Sequence, residues 1–214
     1  MAIAKVLEYA HVDELYLDPK NPRLGRHLIE KNLSQDKLLR EMRGWTLEEL
    51  ADSYIENDGF WTHEALLVIK EPLYAKKKPV LVVVEGNRRL ATLKYLYQVS
   101  KGNGLASRKW ANYANFVSPN DELFEEVPYL LADSRKDVQS FLGFRHVSGI
   151  KPWDADEKAG FIAKLIEEEG FTYEQVMRKI GSKTPTVREH YIAYRTLLQI
   201  EENVRDFEPQ FADN

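Results

Sequence analysis

One strand–turn–helix segment constrains the fold more than any other part of the sequence. Residues 80–84 read Val-Leu-Val-Val-Val, and residues 85–89 read Glu-Gly-Asn-Arg-Arg. A run of β-branched residues that is apolar on both faces is typical of a central strand in a sheet. The glycine predicts a tight turn, and the leucine and tyrosine spacing beyond it predicts a helix from Arg88 to about Val99. The chain must therefore form a sheet with this strand inside it and a helix beginning where the strand ends.

The remaining patterns predict an α+β fold with a small mixed sheet, followed by an all-helical part. The predicted strands are residues 15–17, 66–69 and 127–131, and residues 102–120 are predicted to form a loop. The predicted helices cover residues 28–43, 46–55, 134–144, 154–170, 172–180 and 185–199. Thr46 and Glu49 have the spacing of a capping box. The predicted domains are an α+β domain of residues 1–133 and a helical domain of residues 134–214.

The composition excludes several classes of site. The chain has no cysteine, which excludes a disulfide framework, a thiolate metal site and a cysteine nucleophile. Its five histidines do not have metal-ligand spacing, so no metal-binding residues are predicted. No apolar run reaches the roughly 18 residues of a membrane span, and the first residues do not form the apolar core of a signal peptide. These features predict a soluble, cytoplasmic protein that does not associate with membranes.

The charge is distributed unevenly along the chain. The net charge is −4, yet residues 76–109 contain nine Lys and Arg residues against one acidic residue, Glu85. A local positive field in an otherwise acidic protein concentrates anionic ligands at one place. Part of this excess is the lysine run of residues 76–78, for which a simple solubilising role is the alternative. Arg88 and Arg89 need a separate explanation, because they open a helix.

The start of this helix has the chemistry of an anion site. Free backbone N–H groups and the positive end of the helix dipole attract anions, and Gly86 lets a phosphate approach the backbone. Arg88 and Arg89 would add bidentate phosphate donors. The alternative is that the arginines pair with carboxylates of the protein. Glu85 could act as a general base or form a salt bridge with the two arginines. His63 and Glu64 could line a nucleotide pocket at this site or lie in an exposed loop.

Four segments in order resemble the ParB N-terminal domain family, which also includes sulfiredoxin. Residues 85–96, Glu-Gly-Asn-Arg-Arg-Leu-Ala-Thr-Leu-Lys-Tyr-Leu, resemble the arginine box of that family. Residues 15–23 resemble its first box, residues 58–69 its helix–glycine segment, and residues 144–153 its third box. The resemblance implies a ParB/sulfiredoxin-like domain followed by helices that contain a helix-turn-helix. The sulfiredoxin cysteine is absent, so that activity is excluded.

The resemblance also implies a ligand and the residues that bind it. In partition proteins of this family the arginine box binds the triphosphate of CTP, and the third box supplies an Asn to Mg²⁺. It therefore implies CTP or ATP with Mg²⁺ as the cofactor. The residues expected to bind its phosphates are Gly86, Asn87, Arg88, Arg89, Arg23 and Arg145. This sequence departs from the family at two places. Asn87 stands where partition proteins have Glu, and Arg145-His146 replaces the metal-binding motif. The departures weaken the expectation of nucleotide hydrolysis more than the expectation of phosphate binding.

Residues 172–199 have helix-turn-helix spacing: a helix, a short turn with glycine, and a second helix. These residues include five basic and two acidic side chains, which permits modest contact with phosphates. The side chains that could reach DNA from the start of the second helix are Lys183, Thr184, Thr186, Arg188 and Tyr191. A packed helical hairpin without DNA contact is the alternative.

Together these features predict a bacterial-type, ParB-like DNA-binding protein with a nucleotide or phosphate site at residues 85–89. DNA and a nucleotide are the predicted partners, and a homodimer is compatible with this interpretation. Ligand binding would shift a hinge near residues 144–153 between the two halves. Two alternatives stay open: a ParB-fold nuclease or nucleotide hydrolase with Glu85 as its catalytic residue, and a non-catalytic regulatory or scaffold module.

Overall fold

A computed structural model describes residues 6–29, 31, 33–57, 59–74, 78–103, 107–143, 145, 155–180 and 184–204. The chain divides into two compact units, residues 1–150 and residues 151–214. The sequence placed this boundary at 133/134, before the helix that begins at Arg135. The boundary lies after that helix because its apolar face, including the fully buried Val138, packs on the sheet of the first unit.

A five-stranded mixed sheet forms the centre of the first unit. Its strands are β1 (Glu8–Ala10), β2 (Leu15–Leu17), β3 (Leu66–Glu71), β4 (Val80–Glu85) and β5 (Val127–Ala132). They lie in the order β1-β5-β3-β4-β2. The pairs β1–β5 and β3–β4 are antiparallel, and the pairs β2–β4 and β3–β5 are parallel. The predicted mixed sheet is confirmed, with β4 inside it as the apolar run indicated.

The helices of the first unit cover both faces of this sheet. They are α1 (Arg26–Ile29), α2 (Gln35–Met42), α3 (Leu47–Glu56), α4 (Asn87–Ser100), α5 (Arg108–Tyr113), α6 (Glu122–Glu125) and α7 (Arg135–Gly143). Along β4, Val83 belongs to the larger core, which contains α3 and α4. Val82 and Val84 belong to a smaller core on the other face, against α7. Burial on both faces explains why residues 80–84 of β4 are all apolar.

Two regions differ from the predicted secondary structure. The single helix expected at residues 28–43 is divided into α1 and α2, and the loop expected at residues 102–120 contains α5. The Ser107 hydroxyl accepts a hydrogen bond from the backbone N–H of Trp110 and caps this short helix. Trp110 and Tyr113 are buried, so tertiary packing stabilises six residues that are too few to show a helical pattern.

The second unit is helical, with α8 (Ala155–Glu167), α9 (Tyr173–Ile180) and α10 (Thr184–Asn203). Ile162, Val176 and Val187 form its core, one residue from each helix. Residues 181–183, which include the predicted DNA-contacting Lys183, lie outside the described residues. In the part of the chain that the structure describes, no helix is long and apolar enough to cross a membrane.

Candidate functional site

The turn between β4 and α4 depends on Gly86. This residue has a φ of 98°, in the left-handed region that favours glycine. A Cβ atom at this position would lie 2.4 Å from Cδ2 of Leu66 on β3. The backbone therefore turns against the neighbouring strand with no space for a side chain, and α4 begins at the next residue, Asn87.

The Asn87 side chain connects the first turn of α4 to two strands. It is 3% exposed, and its Oδ1 accepts a hydrogen bond from the backbone N–H of Asp18 at 2.8 Å. Its Nδ2 donates to the carbonyl oxygen of Val83 at 2.6 Å. Both polar atoms of the amide are thus used within the protein. A contribution of Asn87 to ligand binding would come from its backbone N–H, which helix geometry leaves without an intrahelical acceptor.

Arg89 and Arg145 share two carboxylates, and these four residues are here called the Arg89 cluster. Arg89 Nη1 donates to Oε2 of Glu64 at 2.8 Å and to the Glu64 carbonyl oxygen, while its Nη2 lies 3.5 Å from Oε1 of Glu85. Arg145 Nη2 donates to the same Glu64 oxygen at 2.9 Å, and its Nε lies 3.5 Å from Glu85 Oε1. The charges of two guanidinium groups are balanced by two carboxylates.

The electrostatics of the cluster act directly on Glu64. Burial alone would raise the pKa of this carboxyl group. The hydrogen bonds and charges of Arg89 and Arg145 outweigh burial and hold the pKa below its usual value. The Glu64 carboxyl group is therefore ionised, and it lies beside Arg89, which the sequence predicted to bind phosphate.

A cavity of about 300 Å³ adjoins the cluster. Its polar side is lined by Thr62, His63, Glu64, Glu85, Arg89 and Arg145. The exposed ring of Trp61 stacks on that of His63, with 5.8 Å between the ring centroids. The volume is at the lower end of the range of small-molecule sites. From the sequence, His63 and Glu64 could either line a pocket or lie in an exposed loop. The structure shows that both line this cavity.

Arg88 points in another direction, towards α3. Its Nη2 donates to the carbonyl oxygen of Thr46 at 2.6 Å and to Oε2 of Glu49 at 2.9 Å. The capping box predicted for Thr46 and Glu49 is wrong, because the Thr46 side chain makes no capping bond. Thr46 instead has a φ of 56°, an uncommon conformation for a β-branched residue. Both arginines of the turn thus pair with carboxylates, the alternative that the sequence left open.

Arg23 and Asp18 lie on the segment that resembles the first family box. The Arg23 guanidinium lies over the ring of Trp45, 4.8 Å from its centroid, in a cation–π contact. Asp18 is 1% exposed and accepts two hydrogen bonds of 2.7 Å from Arg135 of α7. Arg135 also donates to Glu71. The sequence did not identify this cluster, because the partners are remote in the chain and share no motif.

In the second unit, the residues predicted to contact DNA lie on α10, apart from Lys183, which precedes it in the sequence. Arg188 is exposed on α10. The carbonyl oxygen of Thr186 lies 2.8 Å from Nδ1 of His190. The Tyr191 hydroxyl donates to Glu167 of α8 at 3.0 Å, so this side chain also links α8 with α10. The side chain of Thr184 lies outside the described part of the chain, as Lys183 does.

Comparison with known proteins identifies the fold. No family model and no curated protein sequence matches this chain. Among solved structures, a C-terminally truncated chromosome-partitioning protein ParB from Caulobacter crescentus, complexed with CTP-gamma-S, matches with a TM-score of 0.52 and 17% identity. The match covers 93% of this chain and 88% of that chain. This chain therefore has a ParB-like fold, as the four ordered segments predicted.

A second structure of the truncated Caulobacter crescentus ParB is complexed to the centromeric parS site. It aligns with a TM-score of 0.29 and 16% identity, over 92% of this chain and 76% of that chain. At this TM-score the alignment adds nothing to the assignment of the fold.

Proposed function

We propose that this chain is a ParB-like DNA-binding protein that binds the phosphates of a nucleotide at the start of α4. The observation that carries this proposal is the ParB-like fold, matched over 93% of the chain to a partition protein crystallised with CTP-gamma-S. CTP or ATP with Mg²⁺ is the proposed cofactor. A homodimer and a bacterial cytoplasm belong to the same proposal.

The local chemistry at the start of α4 supports phosphate binding. The helix has 14 residues, enough to develop the positive end of a dipole, and it begins directly after Gly86. Arg88 and Arg89 follow within that turn, and Arg145 contacts the same carboxylates as Arg89. A phosphate that replaces Glu64 at these guanidinium groups must carry more negative charge than a carboxylate. A nucleoside di- or triphosphate meets this requirement.

The helices of the second unit support DNA binding. The start of α10 follows α9 after a three-residue connection, which is helix-turn-helix spacing. Residues 172–199 have three more basic than acidic side chains, so each copy would make few phosphate contacts. Two copies in a homodimer would contact two half-sites and strengthen binding.

Isothermal titration calorimetry with CTP, ATP and GTP in the presence of Mg²⁺ tests the nucleotide site. We expect one nucleotide to bind with micromolar affinity and Arg89→Ala to abolish binding. Arg108→Ala is the matched control, because Arg108 belongs to the same basic segment but is exposed at the start of α5. Circular dichroism spectra establish that both variants are folded. Absence of binding by the wild type would remove the nucleotide from the proposal and leave DNA binding to be tested separately.

One observation favours a non-catalytic regulatory or scaffold module as the second candidate. Arg88, Arg89 and Arg145 all pair with carboxylates of the chain, so the turn is electrostatically balanced by its own residues. The same titration separates the two candidates, since a scaffold binds no nucleotide. The catalytic role of Glu85 stays a prediction; metal-dependent turnover of a nucleotide or DNA that Glu85→Gln abolishes would support it.

A further inference from the structure

Two exposed aromatic rings lie beside the cavity that adjoins the Arg89 cluster. The indole of Trp61 and the imidazole of His63 are nearly parallel, with an interplanar angle of 15° and 5.8 Å between the ring centroids. Both side chains are exposed, and Trp61 is exposed to 45%. His63 lines the same cavity as Arg89 and Arg145. One ligand in this cavity can therefore contact a guanidinium group and an aromatic side chain together.

The backbone connects the two rings closely to Arg89. Residues Thr62–Glu64 form one turn of 3₁₀ helix, and the backbone N–H of Glu64 donates to the carbonyl oxygen of Trp61 at 2.9 Å. The carbonyl oxygen and the carboxylate of Glu64 both accept from Arg89 Nη1. His63 directly precedes Glu64, so their Cα atoms are about 3.8 Å apart. The stacked rings are therefore held a short distance from the guanidinium group.

The guanidinium groups and the rings suit different parts of a ligand. A guanidinium group binds phosphate oxygens through paired, charge-assisted hydrogen bonds. An exposed aromatic ring can stack on a second flat ring in an offset arrangement. Aromatic side chains stack in this way on nucleic-acid bases, since every base has a π-face. A ligand with phosphate groups and a flat ring a short distance apart uses both kinds of contact, and a nucleotide has this structure.

We infer that Trp61 and His63 form the base-binding element of the proposed nucleotide site, so that the base stacks on this ring pair while a phosphate contacts Arg89. This inference rests on the proposed function and deepens it, because it assigns contacts to the base as well as to the phosphates. Both residues lie outside the arginine box of residues 85–96. The ring pair would therefore make the site bind a nucleotide more tightly than inorganic triphosphate.

Calorimetry with inorganic triphosphate, and with the nucleotide that the wild type binds, tests the inference. Trp61→Ala should weaken nucleotide binding about tenfold, as expected for the loss of one base–aromatic stack, and should leave the triphosphate affinity unchanged. His63→Ala should also weaken nucleotide binding, and Trp61→Phe, which keeps an aromatic ring, should retain most of the affinity. Phe116→Ala is the matched control, because Phe116 is an exposed aromatic residue beyond the end of α5. This variant should bind both ligands as the wild type does.

Other outcomes overturn the inference. An unchanged nucleotide affinity in Trp61→Ala would show that no base stacks on this ring. An equal loss of nucleotide and triphosphate binding would show that Trp61 only positions Glu64 and Arg89. If the wild type binds triphosphate as tightly as the nucleotide, the site recognises phosphate alone, so this inference fails and the proposed phosphate site stands. If the wild type binds neither ligand, the inference and the proposed nucleotide site fail together.

Discussion

The side-chain oxygen of Asn87 accepts a hydrogen bond from the backbone N–H of Asp18 at 2.8 Å, although the two residues are 69 positions apart. The contact joins the end of β2 to the first turn of α4. Asp18 is itself held by two hydrogen bonds from Arg135 of α7. The start of α4 is therefore fixed by the residue after β2 and, through it, by α7. This would reduce the entropy cost of ordering the proposed site when a ligand binds.

Replacing Asn87 with Asp should destabilise the protein. The carboxylate cannot donate to the carbonyl oxygen of Val83, and it places a negative charge at a position that is 3% exposed. We expect the free energy of unfolding to fall by about 3 kcal/mol, measured by urea denaturation. Asn112→Asp, at an exposed position of α5, is the control and should change it by less than about 0.5 kcal/mol. Equal effects would show that the Asn87 hydrogen bonds contribute nothing.

The elements with strong local patterns were predicted closely. For β4, the turn and α4, the bounds agree with the sequence prediction to within one residue, since β-branched residues, a glycine and helical spacing follow one another there. The three residues of β1 show no strand pattern in the sequence. They form a strand because β5, about 120 positions away, supplies their hydrogen-bond partners. A strand this short is defined by tertiary pairing, which the local sequence does not encode.

The same contrast holds at the candidate site, between residues that the local sequence indicates and contacts between residues far apart in the chain. Gly86, Arg88 and Arg89 could be proposed as site residues from the sequence because the chemistry of a helix start is local. Their partners were not. Glu49 was interpreted as part of a capping box, yet it pairs with Arg88 across two helices.

Gly86→Ala should also lower stability, for a steric reason. The new Cβ would lie 2.4 Å from Cδ2 of Leu66, at a φ of 98° that alanine rarely adopts. We expect a loss of about 2–3 kcal/mol in unfolding free energy. Gly143→Ala, in α7, is the matched control, because no neighbouring side chain in the described part of the chain lies within 4 Å of the place its methyl group would take. A loss at Gly86 no larger than at Gly143 would contradict the packing described for the turn.

Glu64→Gln should strengthen nucleotide binding. The Glu64 carboxylate holds Arg89 and Arg145 at 2.8 and 2.9 Å, so it would compete with the proposed phosphate for the same guanidinium groups. The neutral amide keeps the size of the side chain and removes the competing charge. We expect calorimetry to show an affinity about tenfold higher, equivalent to about 1.4 kcal/mol. Glu71→Gln, which affects the Arg135 pair instead, should leave affinity unchanged. Weaker binding by Glu64→Gln would mean that Glu64 positions the arginines.

The buried Lys94 should make stability depend on pH. Its Nζ donates to the carbonyl oxygen of Val12 at 2.8 Å, and burial lowers its pKa to about 8, against a weaker opposing effect of Asp13. An unfolded lysine has a pKa of about 10.4, so the unfolded state binds more protons between these values and stability rises with pH. The unfolding free energy of the wild type, relative to Lys94→Met, should rise by about 2 kcal/mol from about pH 7 to 9.5. Urea denaturation measures this difference, with the exposed Lys37→Met on α2 as control. A difference that does not change with pH would exclude a buried charged amine.

Arg188 and Arg195 provide a matched pair for testing DNA contact by α10. Both are exposed, but Arg195 Nη1 lies 3.4 Å from Oε1 of Glu167, whereas Arg188 is near the start of the helix, where helix-turn-helix proteins contact DNA. Arg188→Ala should weaken binding to a mixed-sequence duplex several-fold and reduce the slope of log affinity against log salt by about one. Fluorescence anisotropy at roughly 50–200 mM salt measures both quantities. Arg195→Ala should leave the slope nearly unchanged, because its guanidinium is already paired. Equal slopes for the two variants would argue against α10 as the DNA-contacting helix.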